Sequence, residues 1–161
     1  MSWKHALVFA AWLLAACQSA TRGPSRLDAV PVLHVTDGDT IHVVHGGTDE
    51  AVRLIGVDTP EVPWYGGPGE CFGVEAGRFT RDRLTGRPVR LEFDVERRDR
   101  YGRLLAYVYV GDELFNLTLV RDGYATSYPV SPNTKMAARF ESAETEARAT
   151  GMGLWAACGD R

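Results

Sequence analysis

Val32-Leu33-His34-Val35-Thr36-Asp37-Gly38-Asp39-Thr40-Ile41-His42-Val43-Val44 is a pair of β-rich runs joined by a short acidic turn. Asp-Gly between two such runs is a hairpin-type turn signal. Outward from it, His45-Gly46-Gly47 makes a second turn and Val52 to Val57 a third strand, so three short strands begin a meander. A turn-rich loop follows, with Pro60, Pro63, Gly66, Gly67, Pro68 and Gly69. Phe72, Ala76, Phe79 and Leu84 then recur at three- to five-residue spacings, which predicts a helix stopped by Gly86 and Pro88. Val89 to Phe93 alternates as a fourth strand, and Leu105 to Val110 reads as a fifth. Asn116 is placed to cap a short helix ending before Gly123. A longer helix is expected from about Lys135 to Ala149, with Met136, Phe140, Ala143 and Ala147 on one face.

Five strands with helices between and after them fit an α+β, mainly β, fold: a five-stranded OB-type barrel with inserted and C-terminal helices. The domain is expected to occupy residues 29–161. At 161 residues the chain suits one domain, and its 45% hydrophobic content is enough for a real core. The N-terminus is expected to lie outside the fold. Lys4 and His5 precede an apolar run from Ala6 to Ala16, too short to span a bilayer, which needs roughly 20 residues. Residues 1–16 therefore read as a signal peptide. Leu14-Ala15-Ala16-Cys17 resembles a bacterial lipobox, which implies lipidation at Cys17 and a membrane anchor. A plain signal peptide cut near Ala16 or Ala20 is the alternative. Residues 17–28 would be a tether, and the protein is expected to be exported and anchored to a bacterial membrane.

Loss of residues 1–16 removes Lys4 and no acid, leaving the mature chain one unit more negative than the −3 of the full sequence. That sign excludes gripping long DNA by bulk charge, so nucleic-acid binding would need a local basic site. Cys71 and Cys158 remain after Cys17, and in an oxidising compartment a disulfide is the default. Two buried free thiols are the alternative. Without a CxxC or a Cys/His cluster, no zinc site is expected.

Three groups of residues carry chemistry. Asp37 and Asp39 at the hairpin turn, and Asp58-Thr59-Pro60-Glu61 past a nearby strand, would meet at one end of the sheet under suitable strand pairing. Carboxylates with a backbone carbonyl suit a hard cation such as calcium. Asx-turns would equally explain Asp37 and Asp39. Arg53, opening an apolar strand, needs an anion; a phosphate fits its planar fork, and Glu50 or Glu92 would also serve. Arg97-Arg98-Asp99-Arg100-Tyr101-Gly102-Arg103 is the densest basic stretch and suits phosphate contact with stacking, or else a solvated hairpin. His34 and His42 flank the acidic turn, and a hairpin could bring them near each other. Imidazole is a poor calcium ligand, so they are read as strand-surface residues.

Together these groups resemble the thermonuclease (staphylococcal nuclease-like) family. One signature is Asp37-Gly38-Asp39-Thr40-Ile41, with Arg53-Leu54-Ile55-Gly56-Val57-Asp58-Thr59-Pro60-Glu61 beginning fourteen residues after Asp39. The other is Asp99-Arg100-Tyr101-Gly102-Arg103-Leu104-Leu105-Ala106-Tyr107-Val108-Tyr109. The resemblance runs from about Val32 to Trp155. It implies Ca2+ held by Asp39, Asp58 and the carbonyl of Thr59, arginine clamps at Arg53 and Arg103, and Glu61 near the attacking water. It implies substrate contacts at Tyr101, Arg100 and Tyr128, and cleavage of DNA and RNA that leaves 3′-phosphates. The family often has a pair of tyrosines before its last helix, whereas Tyr128 here is followed by Pro129 and Val130, so nucleotide preference is expected to differ. A monomeric, calcium-dependent endonuclease is the expectation. A non-catalytic OB-type module binding nucleic acid or protein is the alternative, but such a module would be expected to have lost one of Arg53, Glu61 and Arg103.

Overall fold

The computed structural model describes residues 29–63 and 67–159. The expected signal peptide, Cys17 and the expected tether lie outside the described residues. Strands β1 (Ala29–Val35), β2 (Thr40–His45) and β3 (Thr48–Leu54) form the expected antiparallel meander. After the short β4 (Val57–Asp58), helix α1 (Gly73–Leu84) leads into β5 (Pro88–Glu92) and β6 (Leu104–Val110). Strand β1 serves two neighbours, pairing with β5 through Ala29–Pro31 and with β2 through its second half. A bulge between Val32 and His34 separates the two pairings. Such bulges add the bend and twist that closing a small barrel requires. Closure comes from β6, antiparallel to β5 and parallel to β3 through Val52–Leu54 against Leu104–Ala106. The result is the expected five-stranded barrel, in order β1-β2-β3-β6-β5.

Alternation fills it. Ile41, Val43, Val52, Val89, Ala106 and Val108 have no measurable exposure and interdigitate from all five strands with Val32 and Leu54. Each fully buried aliphatic side chain of this kind contributes about 1.5–3 kcal/mol by leaving water.

The helices close the barrel and hold its loops. Strand β7 (Glu113–Leu114) precedes helix α2 (Phe115–Arg121), and β8 (Thr126–Ser127) pairs with β4. Helix α3 (Ala137–Ala149) lays Phe140 and Ala147 inward, with Met136 and Ala143 partly covered. A final turn, α4 (Leu154–Ala157), packs Leu154 and Trp155 beside Ala147. Cys71 and Cys158 form a disulfide, as the oxidising reading expected, and so tie the end of α4 to the start of α1.

Two local expectations need correction. The run Val52 to Val57 is not one strand: the chain turns at Ile55-Gly56, with Gly56 at φ +77°. A Cβ there would lie 2.5 Å from the Phe140 ring, so the break lets α3 approach the barrel. Asn116 does not cap α2. Leu114 holds that position, and the Asn116 side chain is buried, accepting from the Val108 amide at 2.8 Å and donating to the Ile55 carbonyl at 2.9 Å. It satisfies the backbone where β3 ends beside β6, a demand no local capping signal registers.

Candidate active site

The acidic turn lies over the open end of the β2–β3 hairpin, where Thr40 of β2 is opposite Arg53 of β3. Asp39 is buried, and every contact of its carboxylate organises the site. One oxygen accepts from the Thr40 hydroxyl at 3.2 Å and is ion-paired with Arg53; the other accepts the Thr59 amide at 2.9 Å. The second fork of Arg53 reaches Asp58 Oδ1 at 2.7 Å. Arg53 thus bridges two carboxylates nineteen positions apart in the chain, and its partners are neither Glu50 nor Glu92. Asp37 does make an Asx-type contact, accepting the Asp39 amide at 3.1 Å.

Helix α1 pins both loops. The Thr80 hydroxyl donates to the Gly38 carbonyl at 2.7 Å, and a Cβ on Gly73 would lie only 2.1 Å from the Glu61 carbonyl oxygen. Glu70 completes a two-way link, its amide donating to the Glu61 carbonyl at 2.9 Å and its carboxylate accepting the Glu61 amide at 3.0 Å. Thr80, Gly73 and Glu70 were not singled out from the sequence. Serving backbone positions far along the chain, they carry no local signal.

The electrostatics follow from this crowding. Burial pushes the Glu61 carboxyl above its ordinary range, and repulsion from Asp37, Asp58 and Glu70 adds to that, against the pull of Arg53. Burial likewise raises Asp37, outweighing the Thr40 hydrogen bond and the charges of Arg53 and Arg103. Among the described residues, the charges set against Asp37, Asp39, Asp58 and Glu61 are the guanidinium of Arg53 and, at Asp37, that of Arg103. The donors gathered here are oxygens, with no imidazole or thiol, and the excess negative charge suits a hard divalent cation.

On the second arm, Asp99 shapes the hairpin that carries Arg103. Its Oδ1 accepts the amides of Tyr101 and Arg103 at 2.9 and 3.0 Å, while Oδ2 accepts Arg103 Nε at 2.7 Å. Burial would raise the Asp99 carboxyl, but these bonds and the Arg103 charge hold it below the usual range. Within the basic stretch, Arg97 stacks on Phe93, Arg98 pairs with Glu50, and Arg100 lies over the Tyr101 ring. A cleft of about 500 Å³ is lined by Arg53, Arg103, Arg100, Tyr101, Tyr128 and Val130, among others. Tyr101, Tyr128 and Val130 are all more than half exposed, an apolar and aromatic wall beside three guanidinium groups.

The chain is similar to known proteins over most of its length. Residues 51–157 match the family described as Staphylococcal nuclease homologue. The chain is 46% identical over 134 residues to the thermonuclease of Staphylococcus intermedius, covering 83% of this chain and 77% of that protein. It is 44% identical over 124 residues to the thermonuclease of Staphylococcus hyicus, covering 77% and 73%. Endonuclease YncB of Bacillus subtilis is 36% identical over 141 residues, covering 86% and 67%. On the strength of the matched domain and of identity across most of its length, the chain belongs to the staphylococcal nuclease family.

Proposed function

We propose that the protein is a calcium-dependent endonuclease that hydrolyses DNA and RNA outside the cytoplasm. The observation carrying this reading is the fork of Arg53 between Asp39 and Asp58, with Arg103 on the same cleft. Kinship with named thermonucleases and an endonuclease supports nuclease activity. Asp39, Asp58 and the Thr59 carbonyl would hold Ca2+, which fits an all-oxygen donor set. When bound, the ion would supply charge to neutralise the phosphoryl oxygens.

The remaining work falls to side chains. Arg53 donates paired hydrogen bonds to the equatorial phosphate oxygens, for which its planar fork is shaped. Glu61 accepts a hydrogen bond from the attacking water and takes its proton as the oxygen–phosphorus bond forms. Arg103 stabilises charge on the departing 5′ oxygen, leaving a 3′-phosphate on the other product. Tyr101, Arg100 and Tyr128 would bind the sugar, phosphate and base. With Val130 beside Tyr128, the base contact is aliphatic on one side, which suits unstacked single strands.

The test is digestion of single-stranded DNA with Ca2+ and with chelator, alongside Glu61→Ala and Arg103→Ala. Cleavage should need calcium and fall by about 100- to 10,000-fold in each variant. Equal cleavage by folded variants, or none by the parent protein, would reject the reading.

Export through residues 1–16 and lipidation at Cys17 belong to the same proposal. The Cys71–Cys158 disulfide supports an oxidising compartment. Labelled fatty acid should enter the protein in cells and fail to enter Cys17→Ser. Elution at the monomer mass in size-exclusion chromatography is expected.

A further inference from the structure

Beyond the acidic site, three side chains on the outer face of the barrel come together from three adjacent strands. The hairpin reading anticipated two of them, and the strand register adds the third. His34 of β1 is directly opposite His42 of β2. The bulge after Val32 leaves both Leu33 and His34 facing outward, which aims His34 at its neighbour. The two rings stack at 4.0 Å between centroids, 19° from parallel. On β3, Asp49 pairs with Val44, one diagonal step from His42, and its Oδ1 lies 2.8 Å from His42 Nδ1. Diagonal neighbours of this kind are within reach of long side chains.

We propose that His34, His42 and Asp49 form a binding site for a transition-metal dication of the zinc type, separate from the acidic site. Among the described residues, this is the group of three His, Cys, Asp or Glu side chains whose ligand atoms all lie within 4.8 Å of one another. Bond lengths of roughly 2.0–2.1 Å to a tetrahedral ion put ligand atoms about 3.4 Å apart. The β1–β2–β3 ladder already fixes the three backbones, so closing the difference falls to side-chain rotation. Two imidazoles and a carboxylate select zinc or copper, whereas calcium and magnesium prefer oxygen alone. The Asp49 and His42 side chains are 52% and 27% exposed, so an ion would have access to water for its fourth position.

Position gives the site a consequence. Asp49 and Arg53 lie on one face of β3, four residues apart, which is about 13 Å along a strand. An ion joining three strands there would staple the hairpin that carries Asp39 and Arg53, and binding only the folded form it would raise Tm.

The experiment is calorimetric titration of the disulfide-intact protein with Zn2+ in excess Ca2+, with melting curves of the same samples. His34→Ala, His42→Ala and His45→Ala are compared with the parent and with Glu61→Ala. His45 is the control because it packs edge-on against Phe93 instead. One equivalent of Zn2+ should bind and raise Tm. His34→Ala and His42→Ala should each weaken binding by about tenfold or more. His45→Ala and Glu61→Ala should bind as the parent does. Melting curves without zinc report whether each variant is folded, and His34→Asn and His42→Asn replace any that is not. Absence of binding by the parent would overturn the proposal. So would binding that folded His34 and His42 variants retain in full, or binding that Glu61→Ala abolishes.

Discussion

Glu61 titrates among Asp37, Asp58 and Glu70, and that company sets how the reaction should respond to acid. Its folded-state pKa is raised, and only the ionised form can take a proton from water. kcat/KM should therefore fall as pH drops through the Glu61 titration, which bound calcium draws downward by favouring the carboxylate. Glu61→Gln should lose this limb along with most of its activity, as a pH–rate profile would show. The same shift has the opposite sign for stability. A raised carboxyl pKa favours the fold below the unfolded pKa, and that contribution is lost as pH rises through the folded value. At neutral pH the ionised cluster repels itself, so Glu61→Gln in chelator should melt about 1–2 °C higher than the parent, a modest gain because water screens exposed charges. Asp99 behaves conversely: its depressed pKa gives stability present above the unfolded value and lost on acidification through the folded one. Asp99→Ala, which frees Arg103 to wander, should lower kcat/KM by as much as about 100-fold without altering calcium affinity. At this scale the sequence was readable where spacing and chemistry coincide, as at Asp39, Arg53 and Glu61. It gave no partner for Arg97 or Arg98, which the fold sets against Phe93 and against Glu50 of β3.

Among the elements, the chain reverses wherever packing demands more than periodicity can express. Val52 to Val57 is apolar and β-branched enough to continue as one strand, yet Gly56 turns it beneath Phe140. Gly56→Ala should cost about 1–3 kcal/mol in urea unfolding, through the clash with that ring and the positive φ. Asn116 is a second such place. Asn116→Ala would leave the Val108 amide and the Ile55 carbonyl buried without that partner, at about 1–3 kcal/mol or more. Denaturant midpoints should move while the slope stays constant, because neither change alters the area exposed on unfolding. Helices α1 and α3 were legible because their apolar faces recur over three turns. Strands β4, β7 and β8 were not, since two residues carry no period.

Across the whole molecule, the disulfide joins chain positions 87 apart and closes the C-terminal helices onto the loop that bears Glu61. The chain-entropy model gives such a closure up to about 4–5 kcal/mol. Cys71→Ser/Cys158→Ser should therefore unfold at markedly lower urea than the parent. Cys71 follows Glu70, whose amide and carboxylate hold the Glu61 backbone, so kcat should also fall in conditions where the variant remains folded. An unchanged kcat would mean that α1 alone positions the loop.

Short-range patterning in the chain was enough to specify the meander and the two long helices, because alternation and turn chemistry depend on neighbours a few residues away; the cysteine count and the acidic and basic motifs named which side chains to look for. Closure of the barrel by parallel β3–β6 pairing, the burial of Asn116 and the arrival of Asp49 beside His34 and His42 were not legible there. They depend on register and packing between segments distant in the chain, and such contacts form only once the core has brought those segments together.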